Sequence, residues 1–236
     1  MQGNDSITAD EVQGAKRWIA QEIFRLCFTA VILFGLAGRL DWPGAWIVLI
    51  IYAVWITANT GILYRRSPGL LAERSKRQRS AIMADTVFLT IYGIAVISKY
   101  VLAGLEVRNA SVPRWEADQV LIAAIMAALG YALVTWSMWA NAYFPMVLRI
   151  QGERGQQVID QGPYRFVRHP GYLGSAIFDL ATPFVLGSSW ALPAGIIAAI
   201  AIIIRAVRED RYLRENLEGY EDYASRVKSR LIPWFY

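Results

Sequence analysis

One cysteine and one histidine occur in 236 residues. The lone Cys27 excludes an intrachain disulfide and any thiolate zinc site. The lone His169 excludes metal sites that need two imidazoles. Charge is scarce as well. Charged residues make up 18% of the chain and hydrophobic residues 56%, whereas soluble domains carry about 25% and about 45–50%. This excludes disorder, because that much apolar surface does not stay in water. It also argues against an ordinary soluble enzyme. Internal repeats, low-complexity stretches and phosphate-cradling glycine motifs are missing too.

What the sequence does have is six apolar runs, at 18–38, 42–64, 82–104, 119–143, 171–186 and 190–207. A membrane-spanning helix needs about 20 apolar residues to cross about 30 Å of hydrocarbon. The runs are continuous and do not alternate, which favours helices over barrel strands. The expected fold is an all-α, polytopic transmembrane bundle of six spans. Its fifth span is short and is joined to the sixth by Gly187-Ser188-Ser189, a tight hairpin, with a C-terminal helix beyond. Thr8 and Glu11 resemble a capping box opening a short helix toward Trp18. Acids precede the first run, so it does not read as a signal peptide.

Net charge is +5 and pI about 9.4, and the basic residues are not spread evenly. Arg65, Arg66, Arg74, Lys76, Arg77 and Arg79 follow the second run; Arg149, Arg154, Arg165 and Arg168 follow the fourth. The tail carries Arg208, Arg211, Arg214, Arg226, Lys228 and Arg230. The intervening connections have no basic excess. Six spans with both termini cytosolic put every basic segment on the cytosolic face, as the positive-inside rule requires. Basicity therefore points to a membrane and not to nucleic acid. Trp18, Trp42, Trp115 and Trp190 fall near span ends, as interfacial aromatics do. The localisation implied is an inner, plasma or endoplasmic-reticulum-type membrane.

Arg25, Asn59, Asp85, Lys99 and Asp179 lie in or near the apolar runs, where polar groups are functional candidates. Arg25, Asp85 and Lys99 lie within two turns of an expected span end, where long side chains snorkel. Asp179 is mid-span. It reads either as a group facing a substrate or cofactor chamber, or as an interhelical hydrogen-bond partner of Arg25 or Asn141.

The stretch from Gly162 to Gly174 reads Gly-Pro-Tyr-Arg-Phe-Val-Arg-His-Pro-Gly-Tyr-Leu-Gly. It opens on a turn signal and puts Arg168, His169 and Pro170 at the mouth of the fifth helix. Pro170 suits the first helical turn, whose free N–H groups can hold an anionic or carbonyl group. Gly171 and Gly174 leave backbone open to a flat ligand. A second cluster, Arg205, Glu209 and Asp210, follows the sixth run, and the hairpin brings it beside His169. Acids beside a basic motif suit a ligand with positive charge and hydroxyl groups.

These two segments resemble the integral-membrane methyltransferases that include isoprenylcysteine carboxyl methyltransferase and phospholipid N-methyltransferases. The His-Pro segment is similar to their S-adenosylmethionine motif. Arg205, Glu209 and Asp210 look like their paired-acid motif, and Tyr220, Tyr223 and Arg230-Leu231-Ile232-Pro233 like their ending. Ser67 to Arg74 is similar to a cytosolic loop of bacterial members. The resemblance covers about 141–236. One departure is Asp210, where the family usually has Glu.

The resemblance implies a single membrane domain over 1–236, with 1–17 a cytosolic segment and 141–236 a cofactor-binding core. It implies S-adenosylmethionine as cofactor, S-adenosylhomocysteine as product, and a lipid or lipidated acceptor, without metal or nucleic acid. Tyr164, Arg168, His169, Pro170, Tyr172, Leu173, Gly174, Glu209 and Asp210 are the expected cofactor residues. Arg205 and Glu209 are the expected catalytic pair, and Arg205, Arg149, Asn141 and Asp179 the expected acceptor contacts. Arg205 reads equally as a helix-end cation and as a bidentate clamp for a carboxylate. Tyr220 and Tyr223 read as packing residues of the tail. An NADPH-dependent sterol-type reductase and a non-catalytic membrane protein are the rival readings.

Overall fold

A computed structural model describes residues 8–75, 83–109, 115–144 and 149–233. The start of the third run at Ile82, the basic residues Lys76, Arg77 and Arg79, and the last three residues of the chain lie outside them. Among the described residues the chain is all helical: α1 Ala9–Ala37, α2 Pro43–Arg66, α3 Pro68–Ser75, α4 Met83–Asn109, α5 Ala117–Ala140, α6 Pro170–Val185, α7 Leu192–Asn216 and α8 Tyr220–Arg226. Two 3-10 turns, Gly152–Arg154 and Gly162–Arg165, break the connection before α6.

The expected capping box opens α1. The Glu11 amide donates to Thr8 Oγ1 at 3.3 Å and the Thr8 amide to Glu11 at 3.0 Å. Among the described residues no separate short helix precedes the first apolar run; α1 runs unbroken to Gly38, whose φ of 68° stops it. Prolines 43, 68 and 170 open α2, α3 and α6, where a missing N–H is harmless. Helices α1, α2, α4 and α5 are long and apolar enough to cross a membrane. Their outward faces are bare hydrocarbon: Phe24, Val31, Ile94 and Leu121 are each more than 60% exposed, a surface that suits lipid and not water. Helix α6 has 16 residues, about 24 Å at 1.5 Å each. Helix α7 is apolar up to Arg205 and polar beyond it.

The α6–α7 hairpin forms as expected. Its tip is tied to α4 by Glu106, which accepts from Ser188 Oγ at 2.6 Å, Ser189 Oγ at 2.8 Å and the Trp190 amide at 2.8 Å. Trp42 Nε1 donates to Leu186 O at 3.1 Å, so the α1–α2 turn joins the same end. The described basic segments gather at the opposite end, with the His-Pro segment and the tail. The alternation of basic and non-basic connections therefore corresponds to two ends of one bundle.

Two expectations change. Gly174 does not leave its backbone open to a ligand: a Cβ there would lie 2.4 Å from Gly130 O, and one on Gly130 would lie 2.6 Å from Gly174 O. The glycines let the α5 and α6 backbones touch. Lys99 does not snorkel. Helix α4 continues five residues past the expected end of its run, which places Lys99 deep in the bundle at 0% exposure. There its Nζ meets Asp179 Oδ1 at 2.6 Å, and Tyr92 donates to Asp179 Oδ2 at 3.0 Å. Asp179 thus bonds α4, and neither Arg25 nor Asn141. Arg25 pairs with Glu22, and Asn141 donates to Tyr164 Oη at 3.3 Å.

Candidate active site

The chain after α8 folds back on the segment before α6. The Arg168 amide donates to Ser229 O at 3.0 Å and the His169 amide to Arg230 O at 2.9 Å. Asp210 is the centre of this closure. Arg168 donates to its two oxygens at 2.6 and 3.0 Å, Tyr220 at 3.1 Å, Arg230 at 3.1 Å and Arg214 at 3.3 Å. His169 Nε2 lies 3.3 Å from the same carboxylate. Burial pushes the Asp210 carboxyl up, but hydrogen bonds and charge from His169 and Arg168 outweigh it and hold the group far below the usual range. Arg168 is fully engaged, since it also donates to Val227 O and Lys228 O at 2.5 and 2.7 Å. Burial, reinforced by the Asp210 charge, raises the Tyr220 phenol well above its usual value.

A narrow cleft of about 60 Å³ opens beside this closure. Its walls include Asn141, Tyr164, Arg168, His169, Gly171, Tyr172 and Glu209, together with Gln156 to Ile159 and Tyr220. Pro170, Leu173 and Gly174 stand behind this wall, on the α6 backbone. Asp210, the shorter acid, stands behind it too, committed to Arg168, His169 and the tail. Tyr220 and Tyr223, expected as packing residues, are buried and also line the cleft; Tyr223 donates to Tyr164 O at 2.8 Å.

A wider cavity of about 560 Å³ lies deeper, between α1, α2, α4, α5, α6 and α7, with α3 at its edge. Arg205 and Asp179 line it, and so do Glu22, Arg25 and Arg74. Tyr172 and Phe144 line both spaces and form the partition between them. The Tyr172 hydroxyl donates to Glu209 on the cleft side and accepts from Arg205 Nε at 2.8 Å on the cavity side. Arg205 is in turn paired with Asp85 at 2.8 Å and lies over the Phe88 ring at 4.7 Å.

Arg149 is placed elsewhere. Its guanidinium pairs with Glu73 at 2.5 Å and Glu153 at 2.6 Å, fastening the loop to α3. Asn141 lies on the cleft side and not in the wide cavity. The sequence reading missed Phe144, the 156–159 wall and Arg74; only Arg74, inside the quoted Ser67-to-Arg74 segment, had any signal.

Residues 119–219 match the phospholipid methyltransferase family. A probable protein-S-isoprenylcysteine O-methyltransferase of Oryza sativa subsp. japonica is 30% identical over 94 residues, 39% of this chain and 49% of that protein. The Delta(14)-sterol reductase of Mus musculus is 33% identical over 85 residues, 35% of this chain and 20% of that protein. The match thus spans half or less of these curated relatives. The solved structure of the eukaryotic intramembrane Ras methyltransferase ICMT (isoprenylcysteine carboxyl methyltransferase) superposes with a TM-score of 0.53 at 18% identity, covering 95% of each chain. The chain is a helical membrane protein with the fold of isoprenylcysteine carboxyl methyltransferase, and its residues 119–219 are similar in sequence to the phospholipid methyltransferase family.

Proposed function

We propose that the protein transfers a methyl group from S-adenosylmethionine to a hydrophobic or lipid-linked acceptor, a carboxylate as in isoprenylcysteine carboxyl methylation. The observation that carries this reading is the partition: one polar cleft and one large, mainly apolar cavity meet at Tyr172 and Phe144. A two-substrate reaction between a nucleoside and a lipid needs two such spaces and one common wall.

The donor set fits the cofactor. Glu209 offers a carboxylate to hydroxyl or ammonium groups, and Tyr164 and Asn141 supply further polar contacts. Leu213, Leu217 and Val158 give an apolar slot for a flat base. The cleft, at about 60 Å³, is too small for the cofactor, so loading has to widen it, and the irregular 156–159 segment is the wall best able to give. His169 acts through its backbone position and its bond to Asp210, which holds the mouth of α6 against the tail.

When bound, the cofactor supplies an activated sulfonium methyl, which needs alignment and a dry path more than acid–base help. Tyr172 is fixed from both sides by Glu209 and Arg205 and sets the width of that path. Arg205, held by Asp85, adds positive potential beside the acceptor. A carboxylate acceptor needs no base. Phospholipid or amine N-methylation would need one, and Glu209 is the group available at the partition. Asp179, saturated by Lys99 and Tyr92, forms a polar floor to the acceptor cavity. The reading also takes α6 and α7 as the fifth and sixth spans, with both termini cytosolic, so that cofactor enters from the basic end.

Purified protein given S-adenosylmethionine tritiated in the methyl group and membrane extract tests the reading. Base-labile label in lipid or lipidated material is expected, because esters hydrolyse. Base-stable label would move the assignment to N-methylation. No label, together with tight NADPH binding, would favour the reductase suggested by the mouse relative.

A further inference from the structure

Three arginines line the wide cavity, and two have a carboxylate partner: Arg25 pairs with Glu22 and Arg205 with Asp85. Arg74 differs. Its Nε and Nη1 atoms are sealed from solvent and, among the described residues, meet no hydrogen-bond partner. Both nearby acids are committed elsewhere. Glu73, its neighbour in sequence, turns to Arg149, and Glu22 is taken by Arg25 and by Tyr52 Oη at 2.7 Å. The deeper Lys99–Asp179 pair neutralises itself. The guanidinium rests over Phe144, its carbon 5.4 Å from the ring centroid, so it stands at the partition between the two spaces. Burial lowers its pKa to about 10, against the opposing charge of Glu22, and it stays a cation at neutral pH.

A guanidinium with two sealed N–H groups left unpaired is expensive. Arg74's helix α3 packs on α1 and α2, and the Arg149 bridge to Glu73 anchors it. We propose that Arg74 is the anion-binding residue of the acceptor site, taking one negatively charged oxygen group of an amphiphile whose body fills the cavity. The inference rests on the two-space reading above and adds which residue holds the headgroup and what charge that headgroup carries. Arg205 then positions Tyr172 and is not the primary clamp. The way in is lateral. Helices α1 and α4 touch at Gly104, where a Cβ would lie 2.9 Å from Leu36 Cβ. Nearer the site the cavity rim consists of Phe28, Leu89 and Ile97, which are 46%, 38% and 45% exposed. An apolar tail leaves there into lipid while its head reaches Arg74. A purely cationic head would meet an unbalanced positive charge and be rejected.

The test is calorimetric binding to detergent-solubilised full-length protein. The probes are N-acetyl-S-farnesyl-L-cysteine, its neutral carboxamide and lysophosphatidylethanolamine. Wild type should bind the acid at least about 10-fold more tightly than the amide, as one charge-assisted contact provides. Arg74→Met should abolish that preference and Arg74→Lys should keep part of it. Both should bind S-adenosylhomocysteine within twofold of wild type, which shows that they fold. Stronger binding of the lysophospholipid, lost in the same variant, would support the anion site and assign it to a phosphate. An acid preference that survives Arg74→Met, or disappears only in Arg205→Met, would overturn the proposal. So would a wild type indifferent between acid and amide. Acid preference without any methyl transfer would remove the enzymatic reading and leave the anion site standing.

Discussion

Replacing Asp210 by Asn keeps the shape of the side chain and removes the charge that closes the site. The Asp210 and Arg168 side chains are 1% and 2% exposed, so the change leaves Arg168 buried without its counter-ion. Breaking one partner of a buried pair costs about 3–5 kcal/mol. That cost falls on the contact between the tail and the His-Pro segment, because Arg168, Arg214, Arg230 and Tyr220 all converge on this one carboxylate. The amides that report it are those of Arg168 and His169, which bond to Ser229 O and Arg230 O. At about 1.4 kcal/mol per decade, their exchange with deuterium should quicken by about 100- to 4,000-fold in Asp210→Asn. Amides in α1 and α2 should not change. Mass spectrometry of peptides spanning 166–172 reads the effect. Exchange there within threefold of wild type would refute the claim that Asp210 closes the site.

Other outcomes follow from the same geometry. Lys99→Met strands Asp179 and should cost about 3–5 kcal/mol in thermal unfolding, while adding Asp179→Leu should recover most of it; a double variant as unstable as the single would contradict this. Gly174→Ala drives a methyl into Gly130 O and should lower stability by about 1–3 kcal/mol, against which an unchanged melting temperature would count. Tyr172→Phe removes the hydroxyl between Glu209 and Arg205 and should slow methyl transfer about 10-fold or more; a wild-type rate would show that the partition needs no hydroxyl. The Asp210 pKa is depressed in the fold, so its contribution is complete above the unfolded value of about 3.9 and is lost only as pH falls through the depressed one. The stability gap between wild type and Asp210→Asn should therefore be flat from pH 5 to 8, and a gap that grows with pH across that window would contradict the assignment.

Helices, hairpin and the meeting of His169 with the Arg205-to-Asp210 segment are legible in the sequence, because apolar runs, proline and glycine act locally. The roles within the pair of acids were less so, although the reason is simple. Adjacent residues on a helix point about 100° apart, so Glu209 and Asp210 do not share a wall: Glu209 faces Tyr172 and Asp210 faces Arg168. Lys99 escaped because its exposure depends on how far α4 extends and which way it is rolled. Arg149 turned to α3 instead of the acceptor, and Arg74, which lines the cavity, went unread, for a similar reason. Which of two arginines reaches a cavity is decided by loop-to-α3 packing, through Glu73, and no local pattern encodes it. Gly174 was read as a ligand contact, but a bare glycine suits an approaching helix as well as an approaching ligand.

The most direct measurement is an experimental structure of the protein with S-adenosylhomocysteine. The account predicts the nucleoside in the cleft beside Glu209 and Tyr164, the 156–159 wall displaced outward, and the sulfur at Tyr172 facing the cavity that holds Arg74. Ligand bound outside that cleft, or with its sulfur turned away from Tyr172, would contradict it.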